Sequence, residues 1–362
     1  MRTEHILIIR FSTIGDVAMT VPVVDSLARQ YPDVRITMLS SPEARPFFEY
    51  MPQNVGFMEA DLKNEYYGVK GMNALYRRLT AKNFTAVADL HSVLRSDYLR
   101  MRFNIDLFRV EHVDKHKSMR RQLVSQTDKR LVQLPTAFSC YADVLARLGY
   151  PVKLDFRSVF PPCGGDISRL PAGFNTPKAD GEVWIGVAPL AAYAGKTYPL
   201  PLMEEALRLV TARHPGCRLF LFGGGEAETS ALNEWSTRLG RCVNASARLG
   251  GIGSELILMS RLDVMVAMDN ADMHMASIAG TPVVSVWGAT HPCAGFSGWG
   301  QHPADAVQAD VPCRPCSISG KKACLRGDCL CMRNIPPEEI ADRVELVLAE
   351  GVLLGEGFNS HG

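Results

Sequence analysis

The chain has 362 residues, 47% of them hydrophobic and 21% charged, with a formal net charge of +1. That length exceeds what one hydrophobic core usually organises, so two domains are expected, and the composition leaves little room for extended disorder. Near-neutrality removes any global electrostatic reason to expect a nucleic-acid partner, so an anion site has to be built locally.

Residues 5–10, His-Ile-Leu-Ile-Ile-Arg, form a continuous apolar run suited to a strand covered on both faces. The run is too short for the core of a signal peptide, and the expected location is the cytoplasm. A loop, Phe11 to Gly15, leads into Asp16 to Tyr31, where Val17, Val21, Val24, Leu27 and Ala28 recur near helical spacing and Pro32 supplies a stop. Gly15 is expected to make the turn. Apolar runs at 35–39, 55–59 and 85–90 then alternate with helical stretches such as 71–82, which predicts an α/β domain.

Prolines and glycines crowd the stretch from 155 to 181 and mark a connector. The alternation restarts with strands at 183–188, 218–222, 264–268 and 282–287 and helices at 202–214, 226–239 and 270–279. The expected organisation is a first domain over 1–160, a linker over 161–181, a second domain over 182–335, and a final helix and tail over 336–362. Pro336 and Pro337 followed by Glu338 and Glu339 open that helix, which is expected to run to about Glu350 before a fraying tail. The segment 273–304 lacks Lys, Arg, Asp and Glu, yet Pro282, Pro292 and its glycines argue against a membrane span.

In open α/β sheets, ligands bind beyond the carboxyl ends of the strands, so polar residues just after strands are the leading site candidates. Asp16 opens a helix after the first strand, where a carboxylate serves either as a cap or as a general base. Lys196 follows strand 183–188 and suits a diphosphate as a compact cation; a loop lysine is also often simply solvated. Gly223, Gly224 and Gly225 lead to Glu226, a candidate for ribose hydroxyls, although they do not match G-x-G-x-x-G and also fit a bare turn. Asp269 and Asn270 begin the helix that follows strand 264–268, and its free amides form an anion site, with His274 about one turn in.

Two longer segments carry a resemblance. Residues 8–17, Ile-Ile-Arg-Phe-Ser-Thr-Ile-Gly-Asp-Val, and residues 268–277, Met-Asp-Asn-Ala-Asp-Met-His-Met-Ala-Ser, occur in order with Gly280-Thr281-Pro282-Val283-Val284 and the loop 287–292. Together they resemble glycosyltransferase family 9, the ADP-heptose:lipopolysaccharide heptosyltransferase family. The resemblance implies a GT-B architecture of two Rossmann-like, doubly wound domains with an interdomain cleft. It implies an inverting transfer of heptose or a related sugar from an ADP-linked donor to a lipopolysaccharide-core or other lipid-linked saccharide. Asp16 then becomes the base and Lys196 the group that steadies the departing diphosphate. Glu226, Asp269, Asn270, Ala271 and His274 fall on the donor side.

Ser12 and Thr13, beside the candidate base, and Asp89 to Ser96 resemble the acceptor side, with His91 and Arg95 as contacts. Lys117 and Arg120, in the basic stretch that also holds His116 and Arg121, are further acceptor candidates or a solvated helix face. Asn270 and Ala271 stand where the family often has Ser or Thr and then Gly, and Tyr198 stands where Trp is common. These departures bear on the donor rather than on the reaction class.

Without a D-x-D triplet or another carboxylate pair suited to a divalent ion, the resemblance reads as metal-independent, with no cofactor. Of ten cysteines, Cys313, Cys316, Cys324, Cys329 and Cys331 cluster late. Cys313-x-x-Cys316 with Cys324 and Cys329 is half of a structural zinc pattern; the alternative is a loop of reduced thiols. The other functional class is a non-catalytic nucleotide-sugar-binding regulatory protein of the same fold. Membrane contact would be peripheral, at the cytoplasmic face of the inner membrane.

Overall fold

Strand β1 (His5–Ile9) is buried at every position, as a central parallel strand must be when helices cover both faces. The computed structural model describes residues 4–359, apart from the side chains of Glu226, Ala227 and 351–359. Beside β1 lie β2 (Arg35–Ser40), β3 (Val55–Glu59), β4 (Ala86–Asp89) and β5 (Arg109–His112). They form a five-stranded sheet in the order β3-β2-β1-β4-β5, every neighbouring pair parallel. The strand order reverses between β1 and β4, and that reversal opens a crevice at their carboxyl ends.

Helices α1 (Ile14–Ala18), α2 (Val21–Gln30), α3 (Gly68–Thr80), α4 (Leu94–Ile105) and α6 (Ala137–Arg147) belong with this sheet; α5 (Lys117–Leu123) does not. The single helix expected over 16–31 is two. Pro22, at the second position of α2, has no N–H to give the Ala18 carbonyl, so the chain turns at 19–20 and starts afresh. Gly15 lies inside α1 and does not make the turn. Helices α3 and α4 cover one face, where Leu75, Leu79, Leu99 and Phe103 pack with Leu7, Ile9 and Val87.

The second sheet repeats the pattern. Its strands are β6 (Trp184–Ala188), β7 (Arg218–Leu221), β8 (Cys242–Asn244), β9 (Val264–Met268), β10 (Val283–Trp287) and β11 (Ala306–Gln308). They run β11-β10-β9-β6-β7-β8, all parallel, with the reversal between β6 and β9. Helices α7 (Leu200–Arg213), α8 (Glu226–Arg238), α9 (Ser246–Leu249), α10 (Ile252–Met259), α11 (Ala271–Ile278), α12 (Leu330–Arg333) and α13 (Pro337–Asn359) accompany it. All five residues of β6, β9 and β10 are buried, and Val266, Val284 and Val286 pack with Leu207 and Val210 of α7 and Ile340 and Val344 of α13. Each fully buried valine or leucine contributes about 1.5–3 kcal/mol of apolar transfer, so a charge at Val266 would unfold this sheet. The last helix continues to Asn359, past the fraying expected near Glu350.

The chain divides into two compact units, 1–116 with 135–159, and 117–134 with 160–362. The excursion 117–134, counted with the first domain from sequence, thus belongs with the second sheet. Its Leu134 N–H donates to the Cys293 carbonyl at 2.8 Å, and Leu123 and Leu134 pack on Ala294. No described helix is long and apolar enough to cross a membrane.

Candidate active site

In the first unit, the crevice between β1 and β4 is spanned by Arg10. Its Nη1 donates to the Leu90 carbonyl at 2.8 Å, and its Nη2 lies 2.6 Å from Asp16 Oδ2. The same oxygen accepts from the Thr13 backbone N–H at 3.2 Å and the Thr13 hydroxyl at 3.1 Å. Asp16 therefore does cap α1, one of the two roles open to it from sequence, but that role leaves its side chain 29% exposed. Ser12 and Thr13 are exposed beside it. The cap and the arginine fix where the carboxylate sits, which is what a general base needs.

His91, just beyond β4, is buried against the same place. The Phe11 N–H donates to its Nδ1 at 3.4 Å, which assigns the ring proton to Nε2. Burial, reinforced by the charges of Arg10 and Lys115, pushes its pKa down to about 3, so the imidazole is neutral. Asp89 shapes the turn that carries it, accepting from the His91 and Ser92 N–H groups at 2.9 Å each and pairing with Arg100 at 3.1 Å.

The second unit treats its own reversal in the same way. Lys196, on the loop after β6, places Nζ 3.0 Å from Oδ2 of Asp269, which directly follows β9. Thr290 donates its hydroxyl to that oxygen at 2.8 Å. Asn270 caps α11 by accepting the Met273 N–H at 3.0 Å, and its Nδ2 donates to the Leu190 carbonyl at 2.8 Å, tying the end of β9 to the loop after β6. Ala271 is the first residue of α11, in right-handed backbone that a Cβ does not disturb, so alanine there loses nothing conformationally. His274 is buried one turn on. Tyr198 is fully buried and its hydroxyl donates to the Ile335 carbonyl at 2.7 Å, which makes it a packing residue.

Gly225 caps α8 with φ of 84°, a conformation that favours glycine. Glu226 begins that helix, and its side chain lies outside the described residues. Glu228, not anticipated from sequence, folds back so that its Oε2 accepts the Gly224 N–H at 2.8 Å. It lies near Asp272, whose pKa is pushed up to about 7 by burial first and then by Glu255 and Glu228. The glycine turn is thus closed by a carboxylate, a group suited to accept from sugar hydroxyls.

Arg314 is the other residue that sequence did not reveal. Its buried guanidinium donates to the carbonyls of Gly288 at 2.5 Å, Ala309 at 2.7 Å and Thr290 at 3.0 Å. It thereby holds the loop whose Thr290 orients Asp269. Gly288 itself has no room for a side chain, because a Cβ would stand 2.6 Å from the Gly195 carbonyl oxygen. The Lys129 ammonium donates to the carbonyls of Cys313 at 2.8 Å and Arg314 at 3.0 Å and fastens the cysteine-bearing loop from the other side. All ten cysteines are free thiols, and among the described residues no three His, Cys, Asp or Glu side chains are placed to hold a metal ion.

The remaining acceptor candidates are dispersed. Arg95 is exposed on the first turn of α4. Lys117 and Arg120, expected on the acceptor side with the first domain, belong to the second unit, where the Arg120 guanidinium lies 4.9 Å from the centre of the Phe296 ring.

Two all-parallel Rossmann-like sheets, each presenting paired charges at its topological switch point, give the chain a GT-B architecture. The chain belongs to glycosyltransferase family 9 (heptosyltransferase), whose model matches residues 72–323. Among solved structures it is similar to a glycosyl transferase family 9 protein from Veillonella parvula, with 19% identity, coverage of 97% of this chain and 98% of that one, and a TM-score of 0.73. It is also similar to the ADP-heptose lps heptosyltransferase II of E. coli, at 16% identity, 96% and 99% coverage and a TM-score of 0.62. A third is the dodecameric iron-containing heptosyltransferase TibC of enterotoxigenic E. coli, solved with ADP-D-beta-D-heptose, at 11% identity, 96% and 77% coverage and a TM-score of 0.52. No curated protein matches the sequence.

Proposed function

We propose that this chain moves a heptose, or a related sugar, from an ADP-linked donor to a lipid-linked saccharide such as lipopolysaccharide core, inverting the anomeric centre and using no metal. The observation that carries the reading is the pair of switch points: a carboxylate held by a buried arginine in one sheet, and a lysine beside a helix N-terminus in the other. The family supports the reaction class, and the neighbours described with ADP-heptose support the donor.

Asp16 takes the proton of the acceptor hydroxyl while that oxygen attacks the anomeric carbon. The bond from that carbon to the diphosphate oxygen breaks in the same displacement, so the centre inverts without a covalent intermediate. Lys196 and the first-turn amides of α11 receive the charge that accumulates on the departing diphosphate. Neutral His91 and the exposed hydroxyls of Ser12 and Thr13 are suited to hydrogen-bond an acceptor sugar.

Saturation-transfer NMR against ADP-, GDP-, UDP- and dTDP-sugars tests the donor, with ADP-heptose expected to rank first. A transfer assay with the anomeric configuration of the product read by NMR tests the reaction. Retention of configuration would overturn the single displacement, and donor binding that never led to transfer to any lipid-linked saccharide would make this a nucleotide-sugar-binding protein.

A further inference from the structure

One face of α4 is apolar yet uncovered. Leu94, Met101 and Ile105 recur at i, i+7 and i+11, a spacing that stacks them along a single side of the helix. They are 85%, 49% and 66% exposed, and Leu107, just beyond the helix, is 91% exposed. Ser96, Leu99 and Phe103, on the opposite side, are the residues that pack inward. Nothing in the folding of the first unit requires this second apolar stripe.

The stripe has a cationic border. Arg102 bonds Asn73 Oδ1 at 2.6 Å, and with Lys70 and Arg77 of α3 these residues line a recess between the two helices. Arg95 is exposed next to Leu94. The nearby acids are already engaged: Asp97 pairs with Arg100 at 2.9 Å, and Asp106 accepts from the Tyr76 hydroxyl.

Exposed leucine, methionine and isoleucine flanked by lysine and arginine match the chemistry of an anionic lipid surface, where apolar side chains enter the acyl boundary and the cations meet head groups. We infer that the α3/α4 face of the first unit docks on an anionic membrane. A second copy fits less well, because a symmetric contact over this face would bring two sets of the same cations together. Helix α4 begins just after His91, so docking would hold the carboxyl edge of the sheet, with Asp16 and His91, close to the bilayer. The inference gives the lipid-linked acceptor of the proposed function a place to be met, and only its purpose rests on that reading.

The test is co-sedimentation of the full chain with phosphatidylcholine vesicles with and without phosphatidylglycerol. Wild type is expected to partition onto phosphatidylglycerol vesicles and to be released by salt. Met101→Glu with Ile105→Glu should lower that partitioning at least about tenfold, and Lys70→Glu with Arg77→Glu by a similar factor. Ile105→Trp, a change at an exposed site, should shift its emission to the blue on anionic vesicles only, whether or not the charged variants fold. Lack of wild-type binding, or undiminished binding by folded charge-reversal variants, would overturn the inference. So would a wild-type dimer that Ile105→Glu converts to monomer, which would assign the stripe to a second copy. The vesicles contain neither donor nor acceptor, so failure here leaves the transfer reaction to its own assay.

Discussion

The Lys196 ammonium lies 3.0 Å from the Asp269 carboxylate, across the two adjacent strands at which the second sheet reverses its order. Both side chains are largely buried, and Thr290 donates to the same carboxylate oxygen. The pair holds a cation in place before any donor arrives, so the site does not have to reorganise around the leaving diphosphate. Lys196→Ala is expected to lower kcat by about 100- to 1,000-fold. Asp269→Asn should lower stability by about 2–4 kcal/mol, because it leaves the ammonium unpaired. The double variant should recover much of that loss in chemical denaturation; additive losses would show that the two residues are not energetically coupled.

The Arg10–Asp16 contact predicts an effect on catalysis. Asp16→Asn should abolish transfer without preventing donor binding. Arg10→Met removes the guanidinium that holds the carboxylate in place, so kcat should fall about 10- to 100-fold with donor affinity unchanged. An unchanged kcat in a folded Arg10→Met protein would show that Arg10 does not position Asp16.

His91 predicts an effect on stability. Its pKa falls from the ordinary 6.5 to about 3, so between those values the unfolded chain holds a proton that the folded chain does not. Stability should therefore rise with pH across that window and be complete above pH 6.5, with a deficit near pH 5 of about 2 kcal/mol from this group. Urea denaturation of wild type and His91→Gln across the window measures it. A His91→Gln slope equal to the wild-type slope would assign the pH dependence to other groups.

Arg314 satisfies carbonyls on both sides of the loop 288–290. Arg314→Met should cost about 2–4 kcal/mol through buried acceptors left without donors. It should also reduce transfer by releasing Thr290 and hence Asp269. Thermal melting and donor titration of this variant test both effects, and an unaltered donor affinity would confine Arg314 to stability.

Metal independence predicts that dialysis against EDTA leaves transfer intact. Metal analysis of tag-free protein should find zinc and iron each below about a tenth of an equivalent. Stoichiometric metal, lost together with activity, would reverse that reading and place the cysteines of 313–331 at its centre.

Two α/β units, the β-loop-α openings and the placement of Asp16, Lys196, Asp269 and Asn270 on segments that follow strands were legible in the chain itself. Buried parallel strands must be unbroken apolar runs, and polar residues that directly follow such runs emerge at one edge of a sheet. Short elements such as β8 and β11, three residues each, carry too little periodicity to stand out. Only the tertiary structure decided that Arg10 spans the β1/β4 crevice, that Glu228 closes on the glycine turn, that Arg314 holds the loop 288–290 and that 117–134 joins the second unit. Each of those facts joins segments far apart in the chain, or depends on which way a long side chain turns. Local spacing encodes how a strand or helix is built, whereas the partner of a buried charge is set by which strands end up side by side.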